Sequence, residues 1–429
     1  MKKPIGLAVA ALCVLAATPA PGEDAAPRVT LAEAVRLARA GNPDLLAARA
    51  DVESARAQQA AAAALPNPSV SYSTSKIPTD GTSADAGQGG GFYDRSYDTV
   101  ASVSQLVEIG GKRRQRRASA REGVAAAEAR LADAERLLDA AVVKAYTSAA
   151  VARASATITR ETAASFEKTA GLAKERETAG DISFSERTQI EIAAGRFLAD
   201  AAQSDLAYGN ATRTLAALLN LPAVAPVEEL DSRDDSPPPG SGAKEDGDED
   251  FLAGRPDLAA LEASVRKAEA DLALQKAFRV PDPTFLAQYE RQPPDQRNTA
   301  GFGVSVPLPV FNQNGAAVRT AGIAAESARR DLVRGRVRAR QDLAATREIL
   351  ETARARARRL TDELLPKARS VRDTVRFAYE QGAASLLELL EAERNANEIR
   401  LAEASARGDL VSARADFRAA RAGAYEDHP

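Results

Sequence analysis

The side chains that bind transition metals are almost absent from this sequence. Its 429 residues include one histidine, one cysteine and one methionine, namely His428, Cys13 and Met1. Structural zinc and copper sites need several imidazole, thiolate or thioether ligands. We therefore expect no built-in metal site and no cofactor. A single cysteine also leaves no partner for a disulfide within the chain.

Recognisable catalytic arrangements are equally hard to find. The histidine lies beside the C-terminus, so it is poorly placed to serve as a base for a serine or cysteine nucleophile. Gly110-Gly111-Lys112 lacks the earlier glycine and the following Ser or Thr of a phosphate-binding loop. We predict that the protein is not an enzyme.

Basic residues form two clusters, at 112–117 and among the arginines from 329 to 359. Such clusters can bind nucleic acid. Here the net charge is −3, aromatic residues make up only 4% of the chain, and the N-terminus indicates export. We interpret the clusters as solvated or interhelical faces, the first of them near lipid headgroups at a membrane boundary, and predict no nucleic-acid partner.

The N-terminal segment predicts that the protein is exported. Two lysines precede an apolar run over residues 5–17, followed by small residues and proline, as in a secretory signal peptide. We assign residues 1–22 to this peptide, with cleavage after Ala16 or Gly22. A transmembrane helix is disfavoured because the run is too short for ~30 Å of hydrocarbon. Lipidation of Cys13 is a second alternative, disfavoured because larger apolar residues surround it.

The remainder of the sequence is a duplication. We expect a first repeat at 23–227, an acidic linker rich in Pro and Gly at 228–250, and a second repeat at 251–429. The pattern of each repeat predicts a helix, then a strand pair, then a long helical hairpin. Three pairs of segments match in the same order: Asn42-Pro43-Asp44-Leu45 with Arg255-Pro256-Asp257-Leu258, Leu65-Pro66-Asn67-Pro68 with Val280-Pro281-Asp282-Pro283, and Ala179-Gly180-Asp181 with Gln381-Gly382-Ala383.

Alternation of polar and apolar residues predicts the strands, each with one apolar and one polar face. The predicted strands are about 69–77, 97–108, 284–291 and 299–309. Polar loops at 78–91 and 292–298 would join each pair.

Long helical hairpins follow the strand pairs, at about 112–220 and 314–422. Both stretches are alanine-rich and contain little proline, and apolar residues recur every seven positions from Val124. At about 1.5 Å per residue, unbroken helices of this kind reach roughly 100 Å. Pro366 is expected to bend one of them.

Four amphipathic strands cannot close a membrane barrel, because an open sheet leaves two unpaired edges. Two copies of the chain would give eight strands and a filled interior, whereas three would give twelve strands and an open channel. The strand pattern therefore predicts an oligomeric outer-membrane conduit.

Nearly the whole mature chain resembles the TolC-like outer membrane efflux protein family. The strand-to-helix junctions at 105–113 and 307–314 are similar to those of its cobalt–zinc–cadmium cation-efflux branch. The resemblance implies a mostly α fold with a β-barrel portion, in a homotrimer whose twelve-stranded outer-membrane barrel continues into a periplasmic α-helical barrel. It also implies a passive exit duct for a tripartite pump. Its partners would be a periplasmic adaptor, an inner-membrane proton-driven transporter and outer-membrane lipid.

The same resemblance implies a pore constriction at the tip of the second hairpin. Glu388 and Glu391 lie three residues apart on one helix face, and three-fold symmetry would turn them into two rings of carboxylates that attract cations. The alternative is that both are ordinary solvated glutamates. Tyr379 and Glu186 would form a hydrogen-bonded latch that narrows the entrance.

Both hairpin tips match the family's adaptor-contact turns, at Gly180-Asp181 and Gly382-Ala383. The sequence departs from the family in two respects. Ala384 replaces an arginine that often follows the second turn glycine, which implies a weaker or displaced latch. Ala179 and Gln381 replace the usual valine before each glycine, which bears on the choice of adaptor.

Two alternative functions remain at this point. A duct of the same architecture could carry drugs or polypeptides of type I secretion, since cargo is selected upstream of the duct. An exported structural coiled-coil scaffold would be a different class of protein, and the proline-bounded strand pairs disfavour it.

Overall fold

The computed structural model describes residues 29–75, 98–228, 252, 254–292 and 296–421. The predicted signal peptide with Cys13, the loop at 78–91, nearly all of the acidic linker and His428 lie outside the described residues.

Helix, strand pair and helical hairpin follow one another twice along the chain. The first half contains α1 (Leu31–Gly41), α2 (Pro43–Ala63), β1 (Ser69–Ser75), β2 (Asp98–Leu106), α3 (Lys112–Ala179) and α4 (Phe184–Leu219). The second half contains α5 (Pro256–Ala277), β3 (Thr284–Gln292), β4 (Gln296–Ser305), α6 (Gly315–Arg358), a π-helical turn (Arg359–Leu364), α7 (Leu365–Glu380) and α8 (Leu386–Ala420).

Polar side chains begin the first helices. The Thr30 hydroxyl accepts a hydrogen bond from the Glu33 N–H, and Asn42 Oδ1 accepts from the N–H groups of Asp44 and Leu45. These side chains satisfy backbone donors that have no partner within the helix. The π-helical turn lies just before Pro366, which has no N–H to donate to the carbonyl of residue 362. A wider turn at this point accommodates the missing bond.

The four strands form one antiparallel sheet in the order β1-β2-β3-β4. Because the register is regular through β2, side chains of successive strands stack on the same face. The sheet is therefore a continuous surface with two chemically distinct sides.

The helices form a layer that continues from the sheet. Near the sheet α3 packs against α2 and α5, and α5 packs against α6; farther away α3 packs against α4 and α8, and α8 against α6 and α7. The outer helices of the distant part are therefore α4 on one side and α6 with α7 on the other. All three helices carry exposed apolar side chains. Examples are Ile192, Leu198 and Leu206 on α4, Ile323, Val333 and Ile349 on α6, and Val371 and Phe377 on α7.

The interior is thin and rich in alanine. One cluster joins α1, α3 and α4 around Val142, Tyr146 and Leu215, and the Tyr146 hydroxyl donates to the Val29 carbonyl at 2.9 Å. A second cluster joins α6 and α8. Small residues bring helices close together: a Cβ at Gly408 would overlap Val151 across the α3–α8 contact. Among the described helices, none is both long and apolar enough to cross a membrane.

Candidate functional site

The sheet presents apolar side chains on one face and small or polar ones on the other. Val103 lies between Val70 and Ala287 on the apolar face, where Val103 is 50% exposed and Phe302 is 89% exposed. Ser102 lies between Ser71 and Gln288 on the polar face, and the Ser71 and Ser102 hydroxyls are 2.7 Å apart. An apolar face exposed on this scale requires an apolar surrounding, while the polar face suits contact with water.

Both edges of this sheet are open within the described chain. β1 pairs only with β2, and β4 pairs only with β3. Their outer N–H and C=O groups therefore need partners if the sheet lies in lipid, because each unsatisfied group costs several kcal/mol there. Within the described chain the sheet is therefore an open segment with two unpaired edges.

The junction between β2 and α3 is locked by a buried lysine. Gly110 and Gly111 adopt positive φ angles of 72° and 79°, which glycine tolerates best. This double turn leaves Lys112 only 3% exposed, with its Nζ 2.6 Å from the Val280 carbonyl and 2.6 Å from Asp282 Oδ1. Our interpretation of residue 112 as part of a solvated or interhelical basic cluster is therefore wrong, because the turn directs its side chain into the junction.

The next turn of α3 carries an interhelical arginine at the same junction. Arg116 donates to both carboxylate oxygens of Glu108, at 2.6 and 3.0 Å, and to the carbonyls of Ala62 and Ala64 at the end of α2. The hydrogen bond to Glu108 raises the pKa of Arg116. In the second half, Asn314 has a positive φ of 59° and donates from Nδ2 to the Gln275 carbonyl at 2.7 Å. Side-chain hydrogen bonds to the neighbouring helix or loop thus hold both strand-to-helix junctions.

The hairpin tips are exposed turns built on glycine. Gly180 and Gly382 have φ angles of 84° and 74°. The N–H of Asp181 donates to the Arg176 carbonyl, and the N–H of Ala383 donates to the Ala378 carbonyl. These bonds satisfy carbonyls at the helix ends, so glycine is needed for the turns themselves. All four predicted adaptor-contact residues are exposed.

Glu388 has a structural role that the sequence analysis missed. Its Oε2 accepts hydrogen bonds from the Ser385 N–H at 2.7 Å and from the Ser385 hydroxyl at 2.9 Å, forming a capping box at the start of α8. These bonds lower the pKa of Glu388. The Ser-x-x-Glu spacing at 385–388 is the signal that could have revealed the cap. Glu391, one turn later, is exposed.

Tyr379 lies within electrostatic range of Glu186, but the structure contains no hydrogen bond between them. Burial raises the pKa of Tyr379, and the Glu186 charge raises it further while Arg176 opposes the shift. The ring of Tyr379 packs against an apolar cluster of Ala173, Ile190 and Leu386 from both hairpins. In this conformation Tyr379 joins the two tips by apolar packing.

Ionic contacts made by two further arginines hold the tips, and those between different helices carried no signal in the sequence. Arg376 Nε donates at 2.9 Å to Glu393, whose side chain is buried between α7 and α8. Arg187 lies near Glu177 and Glu191, and its guanidinium carbon lies 5.1 Å from the centroid of the Phe184 ring. Partners on different helices cannot be identified from local spacing.

Comparison with known proteins identifies relatives over most of the chain. The sequence model of the outer membrane efflux protein family matches residues 34–221 and 249–423. The chain is 26% identical over 387 residues to the cobalt-zinc-cadmium resistance protein CzcC of Cupriavidus metallidurans, covering 89% of this chain and 87% of that protein. An exported coiled-coil scaffold does not fit these matches.

Solved structures show the same fold. The chain superposes on CusC with a TM-score of 0.74 at 19% identity, covering 92% of each chain. It superposes on the outer membrane protein VceC of Vibrio cholerae with a TM-score of 0.72 at 19% identity, covering 92% of this chain and 97% of VceC. These likenesses confirm the predicted fold class, mostly α with a β-barrel portion.

Proposed function

This chain belongs to the outer membrane efflux protein family, and we propose that three copies of it form the exit duct of a tripartite pump for heavy-metal cations. The protein is located in the outer membrane, with its helices in the periplasm. In the proposed duct the chain is not an enzyme: it conducts passively, and the energy comes from an inner-membrane proton-driven transporter.

The proposal of a trimer rests on one observation: the sheet and the distant helical layer are each open on two sides. The sheet ends at β1 and β4, and the distant helical layer ends at α4 and at α6 with α7. Lateral contacts between copies would pair the strand edges and cover the exposed apolar side chains of the outer helices. Three copies supply twelve strands, which leave a lumen, whereas the eight strands of two copies would be filled by side chains.

The hairpin tips are the proposed periplasmic entrance. Gly180, Asp181, Gly382 and Ala383 are exposed turn residues that a periplasmic adaptor could contact. The proposed latch joins Tyr379 and Glu186, and their electrostatic proximity supports it. In the closed state a hydrogen bond between them would hold the entrance narrow.

The proposed constriction consists of three copies each of Glu388 and Glu391. The exposed position of both side chains on α8 supports this role, and the cap at Ser385 holds Glu388 in a defined orientation. Metal cations as cargo are supported by the similarity to a cobalt-zinc-cadmium resistance protein. Rings of carboxylates favour cations over anions in a pore.

Neutralising the proposed ring of Glu391 carboxylates is expected to reduce cation selectivity. Three unit charges at about 10 Å in water, screened over a Debye length of about 10 Å, change the free energy of a monovalent ion by about 0.5 kcal/mol. Cation binding becomes roughly twofold more favourable and anion binding roughly twofold less favourable, so the cation-over-anion ratio rises by about fivefold. We therefore expect Glu391→Gln to lower the cation-over-anion permeability ratio by about fivefold in single-channel recordings. Glu398→Gln, two turns farther along the same helix, is the matched control. If the Glu391→Gln channel and the unmodified channel had equal permeability ratios, the assignment of Glu391 to the constriction would be wrong.

Growth of a deletion strain tests the proposed cargo. The strain, with and without a plasmid-borne copy, is grown across graded cobalt, zinc, cadmium, copper and silver, and across dyes, detergents and antibiotics. We expect restorable sensitivity confined to some of the metals. Restorable sensitivity to organic compounds with unchanged metal tolerance would contradict the metal assignment, and would favour a drug-efflux or type I secretion duct of the same architecture.

A further inference from the structure

An arginine-lined groove lies between α2 and α3, just beyond the sheet. Its volume is about 700 Å³, and its charged lining is Arg56, Arg113, Arg114, Arg117 and Arg121. We call it the arginine groove. The duct proposed above makes no use of it.

Most of the positive charge in the arginine groove is not neutralised by the chain itself. Arg114 and Arg117 are exposed and form no hydrogen bond or ion pair with any described residue. Arg113 donates to the Ala63 carbonyl, which carries no charge. These three guanidinium groups lie within the first two turns of α3.

The remaining two arginines have carboxylate partners. Arg121 shares Glu122 with Arg266, and the hydrogen bond from Arg266 is the main reason that the pKa of Glu122 is lowered. Arg56 pairs with Glu53 and Glu128, so it forms a neutralised wall of the groove. The groove therefore keeps an excess of about three positive charges in a concave surface, which is the arrangement that concentrates anions.

The position of the arginine groove matches the depth of lipid headgroups. Arg113 lies in the first turn of α3, shortly after β2 ends at Leu106, and Arg117 lies about 6 Å farther along the helix. At the equivalent junction of the second half, the Leu308 and Phe311 side chains are exposed, as expected at the edge of the hydrocarbon. The headgroup layer extends roughly 5–8 Å beyond that edge.

We propose that the arginine groove binds the phosphate of an anionic phospholipid headgroup at the periplasmic surface of the outer membrane. Guanidinium groups match phosphate oxygens with paired hydrogen bonds, and basic pockets beside membrane-spanning segments bind anionic headgroups. A free phosphate ion has the same chemistry, but the position of the groove favours the lipid. The binding site is independent of the cargo of the duct.

The test measures lipid binding to the full-length protein purified in a neutral detergent. Binding of short-chain phosphatidylglycerol, of phosphatidylcholine with the same chains and of inorganic phosphate is followed by titration calorimetry. We expect phosphatidylglycerol to bind, and the double substitution Arg114→Gln with Arg117→Gln to weaken its binding at least about tenfold. The matched control replaces Arg196 and Arg213, two exposed arginines of α4, by glutamine and removes the same charge elsewhere.

Each outcome bears on the proposal. The groove variant is the protein with Arg114→Gln and Arg117→Gln. The lipid site is supported if this variant loses phosphatidylglycerol binding, the control variant retains it, and the unmodified protein binds phosphatidylcholine and phosphate only weakly. If the unmodified protein binds inorganic phosphate tightly and the groove variant does not, the groove is a phosphate site. This outcome would overturn the proposal that the phosphate belongs to a lipid. Unchanged binding in the groove variant, an equal loss in the control, or no binding by the unmodified protein would overturn the proposal. Size-exclusion elution of both variants at the unmodified volume verifies that they are folded.

Discussion

Val103→Arg is expected to prevent stable assembly in the outer membrane, whereas Ser102→Arg is expected to be tolerated. The two residues are adjacent in β2 but lie on opposite faces of the sheet, Val103 among apolar side chains and Ser102 among polar ones. Arginine on the lipid face of a barrel costs about 2–4 kcal/mol near the midplane. Val103 lies three residues, about 10 Å along the strand, from the end of β2, so the expected cost per copy is about 1–3 kcal/mol. A trimer carries three such substitutions, and the expected cost is roughly 3–9 kcal/mol per assembly.

The measurement is the amount of folded oligomer in isolated outer membranes, followed by resistance to urea. Ser102→Arg controls for the size and charge of the new side chain, because it places the same group on the face that contacts water. If Val103→Arg assembled normally while Ser102→Arg did not, the two faces would be assigned the wrong way round. Equal tolerance of both substitutions would contradict a membrane location for this sheet.

Replacing Lys112 by methionine is expected to destabilise the junction between sheet and helices by about 3–5 kcal/mol. The substitution retains most of the side-chain volume but removes the ammonium group that lies 2.6 Å from both the Val280 carbonyl and Asp282 Oδ1. Asp282 also accepts a hydrogen bond from the Ile109 N–H, so the carboxylate stays in the junction without its cation. Leaving one partner of a buried ion pair uncompensated is the costly step.

The loss is measured as the shift in urea midpoint of the detergent-purified protein. Lys276→Met is the matched control, because Lys276 is exposed at the end of α5 and its replacement should change stability by less than about 0.5 kcal/mol. Adding Asp282→Asn to Lys112→Met removes the unpaired charge and is expected to restore part of the lost stability. A midpoint for Lys112→Met equal to that of Lys276→Met would show that the lysine is not an essential part of the junction.

The sequence by itself determined the features that depend on residues close together in the chain. Alternation along β2 assigned Ser102 and Val103 to opposite faces, because successive side chains of a strand point to opposite sides. Gly180 and Gly382 marked the hairpin turns, because only glycine adopts the required positive φ easily. The number of strands predicts that other copies are needed, since four strands leave two edges unpaired.

Only the tertiary structure decided which distant residues meet. Lys112 was indistinguishable in the sequence from its exposed neighbours, and its burial depends on contacts with Val280 and Asp282 in the other half of the duplication. The Glu393 side chain is buried against Arg376 of another helix, whereas Glu388 faces solvent and caps its own helix. Local periodicity reports which face a side chain occupies, but the partner on that face is set by how separate elements pack.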